Sequence, residues 1–97
     1  MIEEKYWELE EELLKQVISL YTSGDINNMI VIDNLINIYK ILGELFIDSI
    51  YKNSKELELY FREVFIKIMK ISEEIILDKK NGVKIDSNEL FKKVFKF

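Results

Sequence analysis

The chain has 97 residues, 48% of them hydrophobic and 33% charged, with a net charge of −4 and neither cysteine nor histidine. A domain of this size buries ~60–65% of the surface its unfolded chain would expose, and the hydrophobic content is too high for a disordered chain. The two missing residue types exclude disulfides, thiolate and imidazole metal ligands, and every histidine-based acid–base or nucleophilic mechanism.

From Ile2 to Tyr21 the apolar residues Ile2, Tyr6, Leu9, Leu13, Val17 and Leu20 recur at steps of 4, 3, 4, 4 and 3, which keeps them on one helical face. Thr22-Ser23-Gly24 stops this helix, with Gly24 suited to a left-handed C-terminal cap. Asp25 is the expected N-cap of a second helix reaching about Lys52, along which Ile32, Leu35, Tyr39, Leu42 and Phe46 follow at steps of 3, 4, 3 and 4. Gly43 weakens it locally and marks close packing or a bend. A capping signal then runs from Asn53, or alternatively Ser54, to Glu56. The third helix carries Leu57, Phe61, Val64, Ile68, Ile71 and Ile75, and ends at Lys79-Lys80-Asn81-Gly82, where cations meet the negative end of the helix dipole. Val83 and Ile85 are expected to tuck against the bundle from an extended linker. Asp86 and Glu89 then form a capping pair for a last helix, Leu90 to Phe97, with Lys92, Lys93 and Lys96 opposite its apolar side.

The pattern predicts an all-α, single-domain chain over residues 1–97, an antiparallel bundle of three long helices plus a short C-terminal fourth helix, because short turns make neighbouring helices antiparallel. The middle segment is its most apolar part. From Ile26 to Tyr51, 16 of 26 residues are apolar, against 10 of 20 from Ile2 to Tyr21. At ~100° per residue its apolar arc sweeps about 200°, roughly twice what an ordinary surface helix needs. The first and third helices are expected to cover the two flanks of that arc, leaving Ile30 and Ile41 as apolar intruders on the polar side.

Secondary apolar stripes recur on the other helices. Trp7, Leu14 and Ile18 lie beside the main face of the first, and Leu59, Ile66 and Leu77 roughly opposite the main face of the third. Together with Ile30 and Ile41 these form the candidate protein interface, with Trp7 the strongest anchor because tryptophan is enriched at interface hot spots.

Charge is unevenly placed. Residues 1–12 hold six glutamates and one lysine, whereas residues 79–97 hold six lysines against Asp86 and Glu89. Glu4, Glu8, Glu11 and Glu12 form a candidate acidic face, by default a solvated face that also complements the helix dipole. Its functional alternative is imitation of nucleic-acid phosphates, of the anti-CRISPR-like kind by which small phage inhibitors block nucleic-acid-binding enzymes. The acidic balance and the single arginine, Arg62, disfavour direct binding of nucleic acid.

Glu8 and Glu11 supply an E-x-x-E, but Glu44/Asp48 and Glu74/Asp78 are spaced four apart, so the paired carboxylate set of a helical metal enzyme is incomplete. No glycine-rich phosphate loop exists among Gly24, Gly43 and Gly82. The start, Met1-Ile2-Glu3-Glu4, is acidic where a secretory leader is basic, and the middle helix has no charge-free run near the ~20 residues of a bilayer span. The expectation is a cytoplasmic, non-enzymatic protein-interaction or regulatory module without cofactor or metal, acting as a homodimer or in a heteromer.

Overall fold

A computed structural model describes residues 2–95; Met1 and the terminal Lys96 and Phe97, which the sequence pattern assigns to the last helix, lie outside them. Four helices and no strand are found among the described residues: α1 (Glu4–Ser23), α2 (Met29–Tyr51), α3 (Lys55–Lys80) and α4 (Ser87–Val94). The three long helices pack against one another in an up-down-up arrangement, and α4 lies on α1. The starts of α1 and α3 meet through Tyr6 and Phe61, whose rings are 5.3 Å apart and nearly perpendicular. Their ends meet where the Lys79 ammonium donates to the Tyr21 and Gly24 carbonyls, at 3.0 and 2.9 Å. A cation expected to serve the end of its own helix thus caps the orphan carbonyls of a neighbour.

Local side-chain chemistry sets most of the helix ends. Ser54 caps α3 by accepting from the Leu57 amide, while Asn53 takes the left-handed conformation (φ 54°) that closes α2. Gly82, at φ 69°, terminates α3 as the sequence predicts. The Asp86 carboxylate accepts from both the Asn88 and Glu89 amides, so α4 begins at Ser87 and not at Leu90.

Three expectations need correction. Asp25 does not cap α2. Its carboxylate accepts from Asn27 to build a turn, and Asn28 takes the cap position by accepting from Ile30, so the helix starts at Met29. Gly24 is not left-handed but extended, at φ −94° and ψ 160°. Glycine is required there by proximity, since a Cβ would stand 2.6 Å from the Leu20 carbonyl oxygen and 2.9 Å from Val31. In the linker only Ile85 packs against the core; Val83 is exposed.

The core is built from Leu13, Leu14, Val17, Ile18 and Tyr21 of α1, Leu35, Ile38 and Leu42 of α2, Val64, Ile68, Ile71 and Ile75 of α3, and Phe95 just after α4. The most apolar helix therefore supplies the fewest core side chains among the three long ones. Its surplus lies on the surface.

Candidate functional site

Three long helices enclose three grooves, and this chain treats each differently. The α1/α3 groove is covered in its second half by α4. The Phe91 ring lies under the Lys15 ammonium of α1 at 5.2 Å, Ser87 donates to the Thr22 hydroxyl, and Lys93 pairs with Glu74 of α3 at 3.3 Å.

In its first half the same groove holds a buried carboxylate. Glu10 is 6% exposed, accepts from the Tyr60 hydroxyl at 2.5 Å on one oxygen and pairs with the Lys67 ammonium at 2.7 Å on the other. Burial, and then the hydrogen bond to Glu10, holds the Tyr60 proton well above the ordinary phenol range. Glu10 follows Tyr6 by four residues and precedes Leu13 and Val17 by three and seven, so its register with the core face is the signal that separates it from the other early glutamates. This cluster satisfies its own members. Among the described residues no buried side-chain nitrogen or oxygen lacks a partner.

The α1/α2 groove is open and mixed, lined by Lys15, Gln16, Ser19, Asn34 and Asn37 together with Leu20 and Ile38. The α2/α3 groove is open and apolar, with a volume of about 370 Å³ between Leu42, Gly43 and Phe46 on one side and Phe61, Phe65 and Ile66 on the other, Arg62 standing at its edge. No side chain fills the space above Gly43, where a Cβ would meet nothing within 4 Å. Gly43 marks an opening and not a close approach.

Beyond the groove the apolar surface continues on both helices. Ile36, Ile47 and Ile50 of α2 are 58%, 54% and 48% exposed, and Phe65, Met69 and Ile76 of α3 are exposed as well, Phe65 in the groove wall itself. Soluble monomers scatter single apolar residues over their surfaces, but a contiguous apolar face marks an association surface. As expected, α1 and α3 both pack on α2, but they leave the outer edge of its apolar arc uncovered at Ile36, Ile47 and Ile50. The one further helix among the described residues, α4, packs on the opposite side of the bundle, against α1 and α3.

The sequence-derived interface divides accordingly. Leu14 and Ile18 are not surface residues: both are fully buried, because α4 covers the flank of α1 that carries them. Trp7, two turns before Leu14 on that flank, is partly exposed. Ile41 is half-buried and packs against the core, which removes one of the two intruders on α2; Ile30 remains 70% exposed. Leu59, Ile66 and Leu77 are exposed on α3, and Ile66 belongs to the groove wall. The structure adds Ile36, Ile47, Ile50, Phe65, Met69 and Ile76.

Of the acidic face, Glu4, Glu8 and Glu12 are exposed; Glu12 accepts from Gln16, and Glu11 pairs with Lys15 at 3.0 Å. Among the described residues no three carboxylates converge closely enough to hold a metal ion, and no helix is long and apolar enough to cross a membrane. No protein-family model matches the chain, and comparison with curated proteins and with solved structures gives no match.

Proposed function

We propose that the protein is a non-enzymatic binding module that engages another polypeptide through the α2/α3 face. The observation that carries this reading is the contrast between the grooves. One is covered over its second half by the chain's own fourth helix, one has a mixed lining of lysine, serine and asparagine beside Leu20 and Ile38, and the third is lined almost wholly by apolar side chains and flanked by exposed isoleucines. A groove of this kind suits an amphipathic helix presenting anchors at helical spacing. The acidic face is a weaker basis for a partner, because Glu11 and Glu12 are engaged within α1.

Photo-crosslinking in the source cells tests this, with a photoreactive residue at Ile66 or Ile47 and a control at Asn34 in the α1/α2 groove. Discrete protein adducts from Ile66 and Ile47, and none from Asn34, are expected. A bare α2/α3 face that gives no protein adduct would overturn the proposal.

A further inference from the structure

Resting on that reading, we infer that the occupant of the α2/α3 face is a second copy of this chain, docked antiparallel about a two-fold axis with Arg62 of each α3 opposite Glu73 of the other. The outer side of α3 carries Leu59, Arg62, Ile66, Met69, Glu73 and Ile76 at steps of 3, 4, 3, 4 and 3, the spacing that holds a single seam along a helix. All six are exposed. Read from either end, the seam runs apolar, charged, apolar, apolar, charged, apolar, with the cation and the anion exchanging places about a midpoint between Ile66 and Met69.

Turned end for end on an identical helix, the seam becomes complementary. Leu59 meets Ile76, Ile66 meets Met69, and the Arg62–Glu73 pair forms twice by symmetry, as an isologous interface requires. Parallel docking in register would instead set arginine on arginine and glutamate on glutamate. The charges therefore select one orientation.

Both charges are available for this. Neither Arg62 nor Glu73 enters an ion pair among the described residues. Arg62 is also the chain's one arginine, the cation whose planar fork suits a two-pronged grip on a carboxylate. It stands at the edge of the groove beside Ile66, next to the open space above Gly43, and the second copy's Met69 arrives there with the flexible side chain best able to fill an irregular gap. The same register brings Lys55 opposite Lys80 at the ends of the seam. There Lys55 is already bridged to Glu58 of its own helix at 3.5 Å, and both lysines are exposed to screening.

Sedimentation velocity of the full chain over a range of concentrations tests the inference. The wild type is expected to dimerise. Arg62→Glu and Glu73→Arg should each weaken the dimer at least tenfold, since each single reversal places like charges together twice, and the double variant Arg62→Glu/Glu73→Arg should recover most of that loss. Both positions are on the surface, and helical far-ultraviolet circular dichroism spectra with a cooperative melt, recorded at a concentration where every variant is monomeric, establish that the variants fold. A wild type that stays monomeric, single variants that dimerise as well as the wild type, or a double variant no better than the singles would each overturn the inference. A monomeric wild type that still gives adducts with a different protein from Ile66 defeats self-association and leaves the binding-module reading standing; a monomer without adducts defeats both.

Discussion

Replacing Tyr60 with phenylalanine removes one hydroxyl and leaves the ring that packs near-edgewise on Phe61. That hydroxyl donates at 2.5 Å to a carboxylate that is 6% exposed, and the remaining charge partner, Lys67, contacts only the other oxygen. A hydrogen bond to a charged group contributes about 1.5–3 kcal/mol. The Lys67 side chain is about one-third exposed, so water can approach the pair, and the expected loss is near the middle of that range, about 2 kcal/mol. For a domain of this size, where 1 kcal/mol moves the melting temperature by roughly 4–8 °C, Tyr60→Phe should lower Tm by about 8–16 °C. Thermal melts and urea titrations followed by far-ultraviolet circular dichroism measure this directly. A double-mutant cycle with Glu10→Gln then isolates the pair, with a coupling above about 1 kcal/mol expected. A Tyr60→Phe protein within about 0.5 kcal/mol of the parent, or an additive cycle, would refute the claim that this carboxylate depends on its phenol.

The two helix-associated glycines should respond in opposite directions to alanine. Gly24→Ala forces a methyl group against the Leu20 carbonyl and Val31 and should destabilise by about 1–3 kcal/mol, while Gly43→Ala meets open space within a helix and should stabilise by about 1 kcal/mol, both read from urea midpoints. Equal effects would contradict the spacing described at either site. Burial, and then the hydrogen bond with Tyr39, pushes the Tyr21 hydroxyl up to about 12, so the folded state holds this proton more tightly than the unfolded chain does at about 10. Its stabilising contribution is complete below pH about 10 and is lost as the pH rises towards 12. Tyr21→Phe should therefore make alkaline unfolding over that window less steep by one proton, and an unchanged slope would refute the assignment.

The helices were legible in the sequence because their faces and most of their ends are local. Ser54, Asp86 and Gly82 act on backbone within three or four residues of themselves, and steps of three and four reveal a face wherever it points. The start of α2 was not legible, since Asp25 and Asn28 are both competent caps and the close approach of Gly24 to Val31 belongs to the tertiary fold. The site was half legible for a related reason. Periodicity identifies Leu14, Ile18 and Ile66 equally as members of secondary stripes. Only the side on which α4 lands decides that the first two become core and the third stays exposed. Glu10 was hidden among six early glutamates although its register with Tyr6 and Val17 was in plain view.

The grip of Lys79 on the last carbonyls of α1 has a bearing on how the chain matures. Fifty-five residues separate Lys79 from Gly24, and the Glu10–Lys67 contact spans 57. As the polypeptide emerges during translation, α1 and α2 are complete long before either partner residue has been made. A nascent hairpin of these two helices holds an uncapped end, an unpaired carboxylate and a row of bare isoleucines. The third helix resolves the first two, so the hairpin of α1 and α2 cannot complete its own packing and waits for α3.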